Sequence, residues 1–204
     1  TTGIWQTVWL EFVPKSYVKS VKYFPNIAAG TLTVQAELGG AGVFSVQAFF
    51  EGRPCGEASV KAEHGVATVT LALSEVHLWD AGAGNLYDLT LSFGEDTVKS
   101  YAGLREVSID GMRVLLNGRP VFQRLVLDQG FYPDGIYTAP DEAALVRDIE
   151  LSLAAGFNGA RLHEKVFEPR FLYHCDRLGY LAWGEMANWG LDLADPAALE
   201  AFQG

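Results

Sequence analysis

The sequence predicts a multi-domain β and α/β protein: an immunoglobulin-like antiparallel β-sandwich followed by a parallel β/α segment. Three observations carry this. Four stretches in the first half alternate apolar and polar residues at period two. Turn clusters separate them at short, regular intervals, and after Arg105 the pattern changes to short strands alternating with helical periodicity.

The four stretches are 31–38, 43–50, 66–73 and 86–93, each with β-branched or aromatic residues at every second position, as a strand with one buried face requires. Residues 39–42, 51–54, 63–65 and 81–84 supply the Gly-rich turns between and beside them. About seven strands over about ninety residues fit an immunoglobulin-like sandwich. The buried Cys…Trp…Cys pattern of antibody domains is missing, so the likeness is one of architecture.

Beyond Arg105, residues 112–122 predict a hairpin with Asn117-Gly118 at its turn, a dipeptide that tolerates positive φ. Residues 121–127 continue as an extended apolar segment. A helix follows, with Thr138 read as its cap, Pro140 in its first turn and Asp141 three residues after the cap. Leu145, Ile149 and Leu153 mark its buried stripe, and Gly156 ends it. Residues 157–162 read as a strand, Pro169 starts a second helix that Gly179 closes, and residues 180–183 read as another strand. A β-α-β-α-β order calls for parallel strands joined by right-handed crossovers.

Composition excludes several function classes. The 204 residues are 49% hydrophobic and 12% aromatic, enough to bury real cores. The net charge of -10 argues against a nucleic-acid backbone or an anionic membrane surface as partner, since both recruit clustered Lys and Arg. The acidity is uneven: residues 1–105 hold 7 basic and 10 acidic groups, residues 106–204 hold 8 and 15. A neutral ligand fits best. Cys55 and Cys175 lie far apart, which speaks against a disulfide framework. No close His/Cys ligand spacing is present, so no metal or cofactor is implied. The sequence holds neither a signal peptide nor an 18-residue apolar run, and with no initiator Met both ends read as cut.

A set of motifs carries a family resemblance. Gly3-Ile-Trp-Gln-Thr-Val-Trp-Leu10 looks like a closing strand of a sugar-binding jelly roll, and Leu78-Trp79…Asn85-Leu-Tyr-Asp-Leu89 is similar to a Leu-Trp…Leu-Tyr-x-Leu run near the end of an immunoglobulin-like domain. Tyr101-Ala-Gly-Leu-Arg105 is similar to a Phe-Gly-x-Arg hinge, and Asn117-Gly-Arg-Pro-Val-Phe122 to an Asn-Gly-Lys-Pro opening of a barrel. The run from Gly156 to Glu185 looks like the first part of a sugar-cleaving barrel. In this order and spacing the motifs resemble glycoside hydrolase family 2, the group of β-galactosidases, β-glucuronidases and β-mannosidases. The resemblance implies residues 1–12 as the end of the jelly-roll domain, 13–105 as the sandwich and 106–204 as the N-terminal part of a (β/α)8 TIM barrel.

The same resemblance implies a retaining glycosidase, in which two carboxyl groups roughly 5–5.5 Å apart act as acid/base and nucleophile. In the family the acid/base belongs to an Asn-Glu pair after the fourth strand and the nucleophile follows the seventh. No Asn-Glu pair occurs here, so both are expected beyond Gly204 and the chain by itself is expected to be inactive.

What remains are candidates at the C-terminal ends of the first three strands, where barrel active sites assemble. Arg161 matches the Arg of the family's Asn-x-Val-Arg motif, implying a guanidinium beside the nucleophile; a salt bridge at a surface or between domains is the alternative. Asp128 reads either as a sugar-hydroxyl acceptor or as a loop cap, and His163 as a pocket residue or a structural one. Glu185 either orients its neighbours or serves as a buried partner of Arg161. Asn188 and Trp189 follow on a loop, with Trp189 stacking on a sugar face or serving as core or lid. Asn158 reads as a turn residue, and Trp5, Trp9, Trp79 and Trp183 as core. His163-Glu-Lys-Val166 and Gln129-Gly130 depart from β-galactosidase-like motifs, which leaves the sugar open.

The partner implied is a β-glycoside. A homo-oligomer is also open, since three parallel strands leave a sheet edge unpaired. The second function reading is a non-catalytic carbohydrate-binding or adhesion module that contacts its ligand through sandwich loops such as 81–85.

Overall fold

The structure, a computed structural model, describes residues 3–192 and 194–203. Thr1, Thr2 and Gly204, the outer limits of the domain ranges read above, lie outside the described residues, as does Leu193. The chain divides into two compact units, Val8–Phe122, and Gln123–Gly204 together with Thr1–Thr7. This spatial division falls later than the 105/106 boundary, because a small sheet after Arg105 groups with the sandwich.

In the first unit, β1 (Tyr17–Asn26), β2 (Thr31–Gly39) and β5 (Val66–Ala72) form one sheet in the order β1-β2-β5. The second sheet, in the order β4-β3-β6-β7, is built from β3 (Val43–Phe50), β4 (Arg53–Lys61), β6 (Tyr87–Phe93) and β7 (Asp96–Ala102). All neighbours are antiparallel. The alternation predicted for β2, β3, β5 and β6 is the observed burial: Val34, Phe44, Val46, Leu71, Leu91 and Phe93 point inward and are fully buried. The three strands that the periodicity did not single out, β1, β4 and β7, all lie at sheet edges. These three bury less than edge strand β5 does, so their apolar alternation is weaker; Pro54 sits in edge strand β4 beside a register shift, where a missing N–H does least harm.

Two motifs distant in sequence meet in this unit. Trp79 is buried, its amide donates to the Leu104 carbonyl at 2.9 Å, and the Arg105 guanidinium lies 4.5 Å over its ring. Asn117 Nδ2 donates to the Trp79 carbonyl at 2.9 Å, tying in the small sheet of β8 (Val107–Asp110), β9 (Arg113–Leu116) and β10 (Arg119–Pro120). At the β9–β10 turn, Asn117 and Gly118 have φ of 52° and 74°, the two left-handed residues of a type I′ hairpin.

The second unit runs β11 (Leu125–Asp128), α1 (Glu142–Ala154), β12 (Gly159–Leu162), α2 (Pro169–Leu178), β13 (Leu181–Gly184) and α3 (Pro196–Gln203). Strands β11, β12 and β13 are parallel and in that order, as the β-α-β-α-β pattern predicts. Leu145 and Ile149 of α1 and Phe171 and Cys175 of α2 pack on Ala160 and Leu162. Asp141, not Thr138, caps α1: its carboxylate accepts from the Ala144 amide, while the Thr138 hydroxyl donates to the Trp5 carbonyl. Gly179, at φ 67°, closes α2 as expected.

Three further expectations are corrected. Residues 3–10 adopt no strand, since a strand is held by a ladder partner and no described strand lies beside them. Trp9 and Trp183 are exposed rather than core, at 70% and 48%, while Trp79 is buried and Trp5 is half-buried. Trp9 lies in that irregular segment, and Trp183 points to the sheet face away from the helices. No helix among the described residues is long and apolar enough to cross a membrane.

Candidate functional site

Side-chain parity in the parallel sheet sorts the candidates. Leu127, Arg161 and Trp183 are register partners across β11, β12 and β13 and point to one face, where all three are exposed. Val126, Ala160 and Ala182 belong to the other face, with Ala160 buried among the helices. Two residues further along each strand, Gln129, His163 and Glu185 continue the Arg161 face. Arg161, His163 and Glu185 are thereby brought to one side of the sheet, as their contacts show.

Their contacts follow. Arg161 Nε donates to Glu185 Oε1, and this hydrogen bond, with further help from the Glu164 backbone amide, holds the Glu185 carboxyl below its ordinary range. Gln129 Nε2 lies 2.9 Å from His163 Nδ1, within hydrogen-bond reach of the ring nitrogen. The His163 ring meets Trp189 edge-on, centroids 5.9 Å apart at 90°. Trp189 itself is 82% exposed.

Asp128 stands on the opposite parity and turns back on its own loop. Its Oδ1 accepts from the Gly130 amide at 2.7 Å, and burial pushes its carboxyl above the usual range. Of its two readings, the loop cap is the one with a contact. Asn158 does serve the turn, its Oδ1 accepting from the Arg124 amide at 2.8 Å. Asn188 enters the cluster through its backbone, whose amide donates to Glu164 Oε2 at 3.0 Å.

Two neighbours of His163 were not singled out by sequence reasoning. Glu164 has φ of 53°, a left-handed conformation that costs a residue with a Cβ on the order of 1 kcal/mol. Lys165 is 6% exposed, and its Nζ donates to the carbonyls of Gly130 at 2.6 Å and Tyr137 at 2.9 Å. The rings of Trp5, Tyr137 and Phe167 surround that ammonium at 4.4–4.9 Å. Burial lowers its pKa. Gly130 must be glycine here: at φ 63°, an added Cβ would sit 2.5 Å from Lys165 Nζ. A charged residue beside Val166 and Phe167 in a short apolar stretch is the only sequence signal that pointed to it.

Ligand atoms of His163, Glu164 and Glu185 come within 4.8 Å of one another, the one group among the described residues with the makings of a cation site. Both carboxylates are already engaged, by Arg161 and by backbone amides. Chemically, the face offers a cation–carboxylate pair, an imidazole and an exposed indole, which suits a polyhydroxylated ligand with an apolar face.

Comparison with known proteins adds the ancestry. Residues 16–105 match the sequence profile described as Glycosyl hydrolases family 2. The chain is 26% identical to beta-galactosidase 2 of Enterobacter cloacae over 87% of its length and 20% of that protein's. It is 27% identical to a beta-glucuronidase of Streptococcus agalactiae over 59% of its length and 21% of that protein's. Among solved structures, a β-glucuronidase from Ruminococcus gnavus, in complex with uronic deoxynojirimycin, superposes with a TM-score of 0.79 at 20% identity, over 93% of this chain and 33% of the other. The chain spans about a fifth of the length of these curated relatives. That superposition establishes the fold: a sandwich followed by the beginning of a barrel.

Proposed function

We propose that this chain, which belongs to glycoside hydrolase family 2, forms the sandwich and first β/α units of a retaining β-glycosidase. The acid/base and nucleophile act from parts of the parent protein outside residues 1–204. Arg161 and Glu185 frame the site: the guanidinium reaches the nucleophile carboxylate and keeps it ionised, while Glu185 holds the guanidinium in place. His163 and Trp189 line the sugar's approach. The observation that carries the reading is the Arg161–Glu185 pair on the exposed face of the parallel sheet, at the strand ends where barrel chemistry assembles. The sugar is open between galactoside and glucuronide, since the relatives carry both names.

The test is hydrolysis of a panel of aryl β-glycosides by the full-length parent, with the anomer of the first product read by NMR. Retention at one sugar is expected, and Arg161→Ala should lower kcat/KM on the order of 10²-fold, as loss of a charge-stabilising donor does. Residues 1–204 alone should show no turnover. Glycan binding without hydrolysis by the full-length protein, or an Arg161→Ala variant with unchanged kinetics, would overturn the reading.

A further inference from the structure

Glu164 is held in a conformation its side chain does not favour, and its carboxylate has a specific use there. Oε2 accepts from the backbone amides of Asn188 at 3.0 Å and Trp189 at 3.4 Å, across 24 and 25 residues of chain. Those amides open a tight turn, closed by the Leu191 amide donating to the Asn188 carbonyl, with Gly190 at φ 87° as its third residue. The Glu164 carboxylate thus ties the end of β12 to the segment after β13.

We infer that Glu164 is a positioning residue: it fixes the 188–191 turn so that the exposed Trp189 indole stands edge-on to His163, presented to a sugar ring. The argument runs through geometry. Trp189 is 82% exposed within this chain, and the contacts that hold it here are the His163 ring and the two amides on Glu164. An aromatic platform contributes to ligand binding in proportion to how little it must be ordered on binding. A carboxylate that accepts both turn amides supplies that order in advance.

This inference rests on the glycosidase reading for its ligand, but its structural half is separately measurable. In the full-length protein, amide exchange at 188 and 189 and steady-state kinetics on the preferred aryl glycoside are compared for wild type, Glu164→Gly, Glu164→Gln and Trp189→Ala. Glycine relieves the positive φ and removes the carboxylate, so any loss reports the carboxylate rather than backbone strain. Glutamine keeps an accepting oxygen. Exchange at both amides should quicken at least about tenfold in Glu164→Gly and stay near wild type in Glu164→Gln. KM should rise about tenfold in Glu164→Gly with kcat within about twofold, matching Trp189→Ala, and the double variant should be no worse than Trp189→Ala alone. Unchanged exchange in Glu164→Gly overturns the inference. So does quickened exchange with an unchanged KM in an active enzyme. If the full-length protein hydrolyses no glycoside, the glycosidase reading falls while the exchange data still decide whether Glu164 orders the turn.

Discussion

The sandwich and the β/α unit bury their strands differently. In β6 every second residue is fully buried, and the partner sheet covers that face across a shared core. Strand β13 is exposed at Ala182, Trp183 and Gly184, and Arg161 and Leu127 beside it are exposed as well. A parallel sheet is ordinarily covered on both faces. Among the described residues helices pack on one face, and the other carries Leu127, Arg161 and Trp183. The sandwich closes its core within these residues, whereas the β/α unit leaves the sheet face that carries Arg161 and Trp183 uncovered within them.

The largest test of this contrast is a cavity in the sandwich. Phe44→Ala should cost about 3–5 kcal/mol, as deletion of a fully buried aromatic does. Each unit has its own reporter: Cys55 is buried in the sandwich and Cys175 in the helix-covered core, and burial raises both thiols, Cys175 to about 12. Thiol labelling near pH 8 then reports opening rather than reactivity. Phe44→Ala should speed labelling of Cys55 and leave Cys175 unchanged; equal acceleration of both would break the comparison.

A smaller effect is expected at Lys165. Lys165→Ala strands the Gly130 and Tyr137 carbonyls and removes the cation from three rings, which should cost about 1–3 kcal/mol in denaturant unfolding and speed Cys175 labelling alone. A wild-type midpoint would show that the caged ammonium contributes nothing net, its desolvation offsetting its contacts.

The smallest effect belongs to the open face. The Glu185 carboxyl is held below its ordinary value by Arg161, so the pair's contribution is present above the unfolded carboxylate pKa and fades as pH falls through the lowered folded one. Because Arg161 is half exposed, solvent screens the pair. The difference in unfolding midpoint between wild type and Glu185→Gln should be slight at pH 7 and vanish in acid, and it should shrink with added salt. A difference that grows on acidification would place the pair in a buried environment and erase the contrast with the sandwich.

Much of this was legible in the sequence because it depends on local periodicity. Alternation located β2, β3, β5 and β6, Asn117-Gly118 located the hairpin turn, and Gly179 located the end of α2. The edge strands β1, β4 and β7 were not singled out, since their burial is only partial and their apolar alternation correspondingly weak, whereas edge strand β5 alternates cleanly and was found. Arg161, His163 and Glu185 were found by motif, and parity at strand ends, 161 with 163 and 183 with 185, would have predicted that they share a face. The same parity would have set Asp128 apart from them.

The sequence by itself determined the strands β2, β3, β5 and β6, the helices α1 and α2, and that β11, β12 and β13 run parallel, because those follow from side-chain period and chain connectivity. Only the tertiary structure decided that Arg161 pairs with Glu185, that Lys165 is surrounded by Trp5, Tyr137 and Phe167, and that Glu164 holds the turn at Trp189. Each of these joins residues tens of positions apart or more, and no local periodicity encodes a contact made by two elements packing side by side.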